Sequence, residues 1–393
     1  MSLYKKIPVL QVGFEMEYIL KNLGFVCALG DNHNDIIQNA RNGDTRAMFS
    51  GNVVVDGEKV PFGTAPVAKT HDLRMYDLID VALNQIIGDI ELLKQNYDVN
   101  RIGVIIGSSN TGVHEAQKHI ESAFKNDMQI ESNVITELEL GTPSQYIRNK
   151  TGFMGPTFTV STACSSSLKV FESARRLIEN GICDAVLVGG VDARCDFALN
   201  GFNALSALSK KHTNPMSKNR EGINLGEGAA LFILERGCCG IKLLGIGESS
   251  DAYHLTSPDP TGAGAIASMN MALADAGLKP DDIDFINMHG TGTVANDAME
   301  SLAVNTVFGE NVLCASTKPL TGHTLGAAGA ISMGLSWLML KYDFVIPHVF
   351  DGEYAEDCAK IKLAKSGDIT NVNHVLCNAF AFGGSNASLI MGK

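Results

Sequence analysis

The chain has 393 residues, of which 45% are hydrophobic and 19% charged, so it is long enough to bury one large core or two fused ones. Its formal net charge of −12 argues against a surface for nucleic acid or an anionic membrane, because phosphate binding needs clustered Lys and Arg. The 40 glycines against 11 prolines favour tight turns over disordered linkers. We therefore expect two halves that pack as one body.

The cysteines indicate a reducing compartment. There are nine, an odd number without a C-x-x-C spacing, and most lie in apolar runs, as reduced cytosolic thiols do. The N-terminal segment MSLYKKIPVLQVGFEMEYIL is interrupted by Glu15 and Glu17, so it makes a poor signal peptide. We expect a cytoplasmic protein.

Short apolar runs alternate with helix-like stretches along the chain. RIGVIIG at 101–107 predicts a strand, a second strand ends at Val160, a helix runs from Cys164 to about Asn180, and DAVLVGG at 184–190 predicts another strand. The second half repeats the pattern with short runs at 284–288, 313–317 and 374–378. This alternation predicts an α/β fold with largely buried sheets.

Two pairs of segments indicate an internal duplication. VSTACSSS and ASTKPLTGH each place Ser-Thr at the end of a strand before a helix, and VLVGGVD and VLCNAFAFGG each end a strand in Gly-Gly. We interpret them as two related α/β halves that meet near residue 235. The alternative is that Gly-Gly after a strand is ordinary α/β punctuation.

The longest uncharged run, Leu320 to Leu340, is long enough to span a bilayer. His323 and four glycines interrupt it, and polar groups are costly in lipid. We predict a buried helix in close contact with its neighbours.

One cysteine stands where a strand gives way to a helix, in the stretch VSTACSSSLKVF. Ser161 and Thr162 are good N-cap types, and the helix that follows is expected to bury Leu168, Phe171, Ala174 and Ile178. In the first turn of a helix, free N–H groups stabilise a thiolate, so we expect the pKa of Cys164 to be lowered. The alternative is a small buried residue that packs a strand against a helix.

A nucleophilic cysteine needs a base or groups that stabilise developing negative charge, and these can be distant in sequence. Two of the ten histidines adjoin Gly-rich turns after predicted strands: His289 in NMHGTGT and His323 in STKPLTGH. Functional groups collect at this edge of α/β sheets. Cys164, His289 and His323 are therefore the candidate catalytic residues.

With these residues assembled, the chain resembles the β-ketoacyl-[acyl carrier protein] synthases of the Cys-His-His type. The resemblance rests on TACSSSL, on HGTGT followed by Asn296, Asp297 and Glu300, on STKPLTGHTLGAAGA and on FGGSN, and covers roughly residues 18 to 391. It implies a thiolase-like fold, with two duplicated α/β halves in a five-layer αβαβα arrangement. The implied division is an N-terminal extension at 1–17, one half at 18–235 and the other at 236–393.

The resemblance also implies a role for each site residue. Cys164 would take the acyl chain as a thioester, and neutral His289 and His323 would bind the thioester carbonyl of a malonyl group as it loses CO₂. Lys318, with Glu300 as its partner, resembles the lysine that orders the site in this family. The reaction would be a decarboxylative Claisen condensation that gives 3-oxoacyl-acyl carrier protein in fatty acid, polyketide or polyene synthesis.

The implied oxyanion hole consists of the backbone N–H groups of Cys164 and Phe382. Phe382 with Gly383 resembles the gate at the acyl pocket. Ala381 replaces the usual glycine before this gate and would adjoin the substrate, and its Cβ is expected to restrict the hinge.

Three further residues are implied to contact substrate. Thr291 and Thr293 stand where the family holds the pantetheine arm. Asn110 stands at the position of a small or apolar pocket residue, which leaves the length and polarity of the acyl group open.

The implied partner is an acyl carrier protein that carries acyl and malonyl groups and has an acidic recognition helix. We therefore expect a basic patch near the mouth of the pocket, formed by Arg74, Lys210, Lys211 and Lys218. The resemblance implies a homodimer, with a heterodimer with a related subunit as the alternative. We expect no cofactor and no metal, because the Gly-rich stretch 262–267 follows two prolines instead of a strand, and His114 and His119 are one residue too far apart for a zinc helix.

Two other functions stay open. A degradative thiolase would need a second cysteine as base, and Cys377 lacks the Cys-x-Gly setting that this role uses. A non-catalytic partner subunit that shapes chain length characteristically lacks the nucleophile, which this chain keeps.

Overall fold

The computed structural model describes residues 17–50, 53–130, 132–368 and 371–393. Of the expected extension at 1–17, residues 1–16 lie outside the described residues, and Glu17 opens the first strand. The described strands are β1 Glu17–Val26, β2 Val53–Val55, β3 Glu58–Val60, β4 Ile102–Gly107, β5 Thr157–Val160, β6 Ala185–Asp192, β7 Gly228–Gly237, β8 Ile241–Ser250, β9 Phe285–Asn287, β10 Leu313–Ala315, β11 Lys362–Leu363, β12 His374–Phe380 and β13 Ser385–Gly392. The described α-helices are α1 His33–Asn42, α2 Arg46–Ser50, α3 Arg74–Gln85, α4 Ile87–Asn96, α5 Val113–Lys125, α6 Ser132–Glu137, α7 Thr142–Thr151, α8 Ser166–Glu179, α9 Asp196–Ala204, α10 Ala263–Ala276, α11 Val294–Phe308, α12 Lys318–Thr321 and α13 Ala328–Tyr342.

The large sheet contains one five-strand pattern twice. Its strand order is β11-β10-β9-β12-β13-β8-β1-β7-β6-β4-β5. In the first half, β1-β7-β6-β4-β5 has two antiparallel pairings followed by two parallel ones. In the second half, β8-β13-β12-β9-β10 has the same sequence of pairings. The repeated order confirms the predicted duplication.

The two patterns are joined at a short turn. β7 continues to Gly237, two residues past the predicted boundary, and β8 begins at Ile241. A short antiparallel pairing of Ile19 and Leu20 with β8 also connects the patterns. The division into 18–235 and 236–393 therefore stays a proposal.

Helices α8 and α13 lie between the two halves of the sheet. α8 packs on β4, β5 and β6, and also contacts β13, whereas α13 packs on β12, β6 and β7. α3 and α7 cover the outer side of the first half, and α10 covers β8 and β13 of the second. These contacts form the predicted five-layer α/β fold.

The two central helices match their sequence patterns. The expected apolar face of α8, formed by Leu168, Phe171, Ala174 and Ile178, is buried. Most of the uncharged run forms α13, in which every residue from Ala328 to Leu340 is buried. None of the helices in the described part of the chain is long and apolar enough to cross a membrane.

Three glycines allow the N-terminal turn of α8 to approach its neighbours closely. A Cβ atom on Gly107 of β4 would lie 2.4 Å from the backbone of Ser167, and one on Gly190 of β6 would lie 2.5 Å from the Ser167 Cβ atom. A Cβ atom on Gly329 of α13 would lie 2.9 Å from the backbone nitrogen of Leu168. The start of α8 is therefore held against both the sheet and α13.

We predict that Gly329→Ala lowers the free energy of unfolding by about 1–3 kcal/mol, because overpacking forces the two central helices apart. The measurement is chemical denaturation followed by circular dichroism. Gly201→Ala in α9 is the matched control, since nothing lies within 4 Å of its added Cβ, and it should stabilise the helix by up to about 1 kcal/mol. Equal unfolding midpoints for Gly329→Ala and the unsubstituted protein would contradict this packing argument.

Candidate active site

Cys164 lies in the turn between β5 and α8, not in the first turn of the helix as predicted. α8 begins at Ser166, and the residue before its first turn is Ser165, whose side chain makes no capping hydrogen bond. The Cys164 side chain is 7% exposed and lines a cavity. The thiol therefore adjoins the helix start without being part of the helix.

The small hydroxyl residues hold this turn together. Ala163 has a φ of 53°, a left-handed conformation that is uncommon for alanine. The Ser166 hydroxyl accepts a hydrogen bond from the Thr162 N–H group at 2.8 Å and donates to the Ala163 carbonyl at 2.5 Å. The Ser165 hydroxyl donates to the Thr162 carbonyl at 2.8 Å and contacts the Ser385 hydroxyl at 3.0 Å, which links the turn to the segment after Phe382.

Two histidines from the second half face Cys164. His289 follows β9 and His323 follows α12, with exposures of 3% and 2%. The Nε2 atom of His323 lies 3.0 Å from the Sγ atom of Cys164, and the two imidazole rings pack edge to face with centroids 5.3 Å apart. One Sγ or ring nitrogen atom from each of the three residues lies within 4.8 Å of the other two. The fold thus brings together three side chains that are far apart in sequence.

Burial keeps both imidazoles neutral. It lowers the pKa of His289 and of His323 well below the ordinary value, and the positive charge of Lys318 lowers both further. At neutral pH each ring therefore carries one N–H group and no net charge. A neutral imidazole can donate a hydrogen bond to a carbonyl oxygen.

The prediction of a lowered thiol pKa is wrong. Burial raises the pKa of Cys164 to about 11, although the Lys318 charge and the N–H groups of Phe382 and Cys164 act in the opposite direction. Desolvation of the anion outweighs these favourable interactions. Cys164 is therefore a thiol at neutral pH, and its proton must leave before or as the sulfur reacts.

Lys318 and Glu300 contact the same backbone segment instead of forming the expected direct pair. The Lys318 Nζ atom donates to the His289 carbonyl. The Glu300 carboxylate accepts from the N–H groups of His289 at 2.7 Å and Gly290 at 2.6 Å. No ion pair joins Lys318 and Glu300 in the described structure. Burial lowers the pKa of Lys318 to about 8, and the Glu300 charge acts in the opposite direction. Both groups thus position His289 through its backbone.

The predicted gate forms a short 3₁₀ turn at Phe382–Gly384. The Phe382 ring packs against the ring of Phe202 at a centroid distance of 5.7 Å, and Gly383 is exposed with a φ of 81°. Ala381 has an extended backbone, with φ −100° and ψ 154°, which alanine adopts without strain. The expected hinge restriction therefore does not appear as backbone strain.

A cavity of about 260 Å³ opens in front of the three reactive side chains. Thr291 and Thr293 line it, and their hydroxyl groups are 2.9 Å apart. Its wall also includes Phe202, Arg220, Asp251, Asn296, Ala381 and Phe382. Such a mixture of aromatic rings and a few polar groups is typical of a small-molecule site.

Asn110 does not line this cavity. It is 9% exposed, its backbone N–H group donates to Asp192 at 2.9 Å, and its side-chain Nδ2 atom has no hydrogen-bond partner. Contact between Asn110 and substrate therefore stays a prediction.

The four cations of the predicted basic patch are already paired with acids. Arg74 is also mostly buried, with a side chain that is 14% exposed. The pairs are Arg74 with Glu227 at 2.8 Å, Lys210 with Glu58 at 2.8 Å, Lys211 with Glu221 at 2.5 Å and Lys218 with Glu353 at 2.5 Å. The predicted patch of free positive charge is therefore wrong for these residues.

Cys377, the second cysteine that a thiolase would use as base, is fully buried in β12. Its thiol donates to the Ser336 hydroxyl at 3.3 Å, and it does not line the cavity. Its position gives no support to a thiolase mechanism.

Three contributors to the site were missed in the sequence. Phe202 packs on the gate but carries no sequence signal, whereas Ser385 contacts Ser165 and lies within the motif FGGSN, which was its available signal. Asp192 is buried at the end of β6, and the signal available for it was an acid that ends the apolar strand VLVGGVD.

Comparisons with known proteins agree with this geometry. Residues 62–237 match the family model described as beta-ketoacyl synthase, N-terminal domain, and residues 241–350 match the C-terminal domain model. The chain is 32% identical over 312 residues to 3-oxoacyl-[acyl-carrier-protein] synthase 2 of Coxiella burnetii. The aligned region covers 75% of each of the two chains.

Solved structures give the same assignment. The chain is similar to one in the complex of a ketosynthase (ApeO) with its chain length factor (ApeC) from Xenorhabdus doucetiae, with a TM-score of 0.89, 38% identity and coverage of 96% of this chain and 98% of that one. It is also similar to a chain in a type II polyketide synthase complex, in which an acyl-carrier protein is bound to its ketosynthase with the hexaketide. The TM-score is 0.86 and the identity 25%, over 96% of this chain and 99% of that one. With both domain models matched in order and the Cys-His-His set in one cavity, the chain belongs to the β-ketoacyl synthase family of condensing acyltransferases.

Proposed function

We propose that the chain joins an acyl group on Cys164 to a malonyl group on an acyl carrier protein, giving 3-oxoacyl-acyl carrier protein and CO₂. The observation that carries the proposal is the 3.0 Å approach of the His323 Nε2 atom to the Cys164 Sγ atom, with His289 beside them. The relatives that bear the name 3-oxoacyl-[acyl-carrier-protein] synthase support the substrate class.

In the first half-reaction, the Cys164 sulfur attacks the thioester of an acyl carrier protein. The thiol is protonated at rest, so its proton passes to the departing carrier thiol as the sulfur–carbon bond forms, and His323 stays a neutral N–H donor. The N–H groups of Cys164 and Phe382 stabilise the oxyanion of the tetrahedral intermediate. The product is an acyl-enzyme.

In the second half-reaction, the thioester carbonyl of a malonyl carrier accepts hydrogen bonds from His289 and His323. Loss of CO₂ leaves an enolate, and the two N–H donors stabilise its oxygen as the charge develops. The enolate carbon attacks the acyl group on Cys164, which forms the new carbon–carbon bond and releases the thiolate, and uptake of one proton from solvent restores the thiol. The nearby Lys318 charge stabilises this thiolate.

We also propose that Thr291 and Thr293 bind the pantetheine arm, since both residues line the cavity and their hydroxyl groups are 2.9 Å apart. A second ketosynthase-type chain, identical or related, is the proposed partner within the dimer, and the complex of a ketosynthase with its chain length factor supports the heterodimeric form. A cytosolic location is consistent with nine free cysteines, seven of them buried.

Acyl transfer should label one cysteine. Incubation with an acyl-carrier protein should add the acyl mass to the peptide that contains Cys164, as measured by mass spectrometry after proteolysis. Cys377→Ala is the matched control and should keep the adduct. A protein without any adduct would support a non-catalytic partner subunit, and an adduct elsewhere would contradict the assignment.

Cys164→Ala should abolish condensation but keep decarboxylation of malonyl carrier protein, because the enolate is stabilised by the histidines. His289→Ala should lower decarboxylation by about 10²–10³-fold, the usual loss for one oxyanion donor. The measurements are release of labelled CO₂ and of 3-oxoacyl product. Equal losses of both activities in both variants would contradict this division of roles.

Lys318→Met should move the acid limb of decarboxylation to higher pH. The lysine charge lowers the pKa of both histidines, so its removal raises these pKa values, and the rings become protonated nearer neutral pH. The measurement is kcat/KM for decarboxylation against pH. Lys94→Met, on α4, is the control and should keep the original profile. An unchanged acid limb in Lys318→Met would show that the lysine charge does not act on the imidazoles.

A further inference from the structure

The carboxylate of Asp192 is buried beside the active site without a cationic partner. Asp192 ends β6 and is 1% exposed. In the described part of the chain, no lysine or arginine forms an ion pair with it. An isolated buried charge is costly, so hydrogen bonds must stabilise it.

These hydrogen bonds come from two segments that are far apart in sequence. The Oδ1 atom accepts from the Ser108 hydroxyl at 2.8 Å, the Ser109 N–H group at 3.1 Å and the Asn110 N–H group at 2.9 Å. The Oδ2 atom accepts from the Ser109 hydroxyl at 3.0 Å and the Ala327 N–H group at 3.2 Å. Burial raises the pKa of Asp192, and the hydrogen bonds from Asn110, Ser108 and Ser109 act in the opposite direction and favour the ionised carboxylate.

Ser109 extends this link. Its hydroxyl donates to Asp192 and accepts from the Gly326 N–H group at 3.1 Å. A Cβ atom on Gly326 would lie 2.7 Å from the Asp192 Oδ2 atom and 2.6 Å from the Ser109 nitrogen. The segment 325–327 is thus held against the loop 108–110 at close range.

His323 lies two residues before this segment and has its own bonds to the first half. The His323 N–H group donates to the Asn224 carbonyl at 2.7 Å, and its carbonyl accepts from Gly226 at 3.1 Å. The next bonds along the chain that join this segment to the first half are those of Gly326 and Ala327. Loss of the Asp192 bonds would leave the bond from the Gly326 N–H group to the Ser109 hydroxyl to hold this segment against loop 108–110.

We infer that Asp192 is a positioning residue that clamps segment 325–327 to loop 108–110 and thereby holds the His323 imidazole against Cys164. No role for this carboxylate follows from the Cys-His-His chemistry itself. The inference rests on the roles proposed above for Cys164 and His323.

A separate effect of the carboxylate provides a second measurement. The Asp192 charge raises the pKa of Cys164, whereas Lys318 lowers it and the neighbouring His289 and His323 are uncharged. Asp192→Asn removes this charge, so alkylation of Cys164 should shift to lower pH. Ser109→Ala leaves the charge in place and removes only two bonds of the clamp, so the alkylation profile should stay where it is.

The decisive experiment measures decarboxylation of malonyl carrier protein together with the pH profile of Cys164 alkylation by iodoacetamide. Asp192→Asn should lower kcat by about tenfold to 10²-fold, as expected for a misplaced catalytic group, with little change in KM. Ser109→Ala should give a smaller loss in the same direction. Asp184→Asn, at the other end of β6 and paired with Arg101 at the surface, is the matched control and should behave as the unsubstituted enzyme.

An unchanged kcat in Asp192→Asn, or an equal loss in Asp184→Asn, would overturn the inference. If Asp192→Asn does not fold, the kcat of Ser109→Ala tests the clamp in its place. A kcat equal to that of the unsubstituted enzyme in Ser109→Ala would overturn the inference as well. An unsubstituted enzyme that does not decarboxylate malonyl carrier protein would count against the proposed function instead. Hydrogen exchange of the Gly326 and Ala327 amides then decides about the clamp by itself: it should be faster in Asp192→Asn than in Asp184→Asn, and equal exchange in both variants overturns the role of Asp192.

Discussion

Removal of water from the reactive side chains is the constraint on which the site depends. The same burial lowers the pKa of His289 and His323 and raises that of Cys164. It therefore yields two neutral hydrogen-bond donors and a protonated thiol in one cavity. Neutral donors suit a step in which negative charge appears on a carbonyl oxygen, because they stabilise that charge without taking a proton beforehand.

This arrangement requires both halves of the molecule. Cys164 comes from the first half, at the start of α8, and the histidines come from the second. The halves can meet at the thiol because α8 and α13 share the central layer, where Gly329 allows the backbones to approach closely. Each half thus supplies a connection between a strand and a central helix, one carrying the nucleophile and the other carrying His323 after α12.

Much of this was predictable from the sequence, and the failures have physical causes. The alternation of strands and helices, the duplicated halves and the buried run that forms α13 are local patterns, and the structure agrees with them. The pKa of Cys164 was predicted in the wrong direction, because a helix start lowers a thiol pKa only when desolvation is small, and here burial is nearly complete. The basic patch failed because Lys210 pairs with Glu58, an acid 152 positions away in sequence, and such pairs are not visible before the chain is folded.

The buried charges show a common solution in the two halves. Glu300 accepts from two backbone N–H groups, and Asp192 accepts from three, those of Ser109, Asn110 and Ala327. Backbone donors stabilise a carboxylate while fixing the loop that carries them, which a flexible lysine does less well. Because neither carboxylate forms a direct ion pair with Lys318, the lysine charge still acts on the thiol and the two imidazoles. The distribution of hydrogen bonds around the site therefore contributes to its chemistry as well as to its stability.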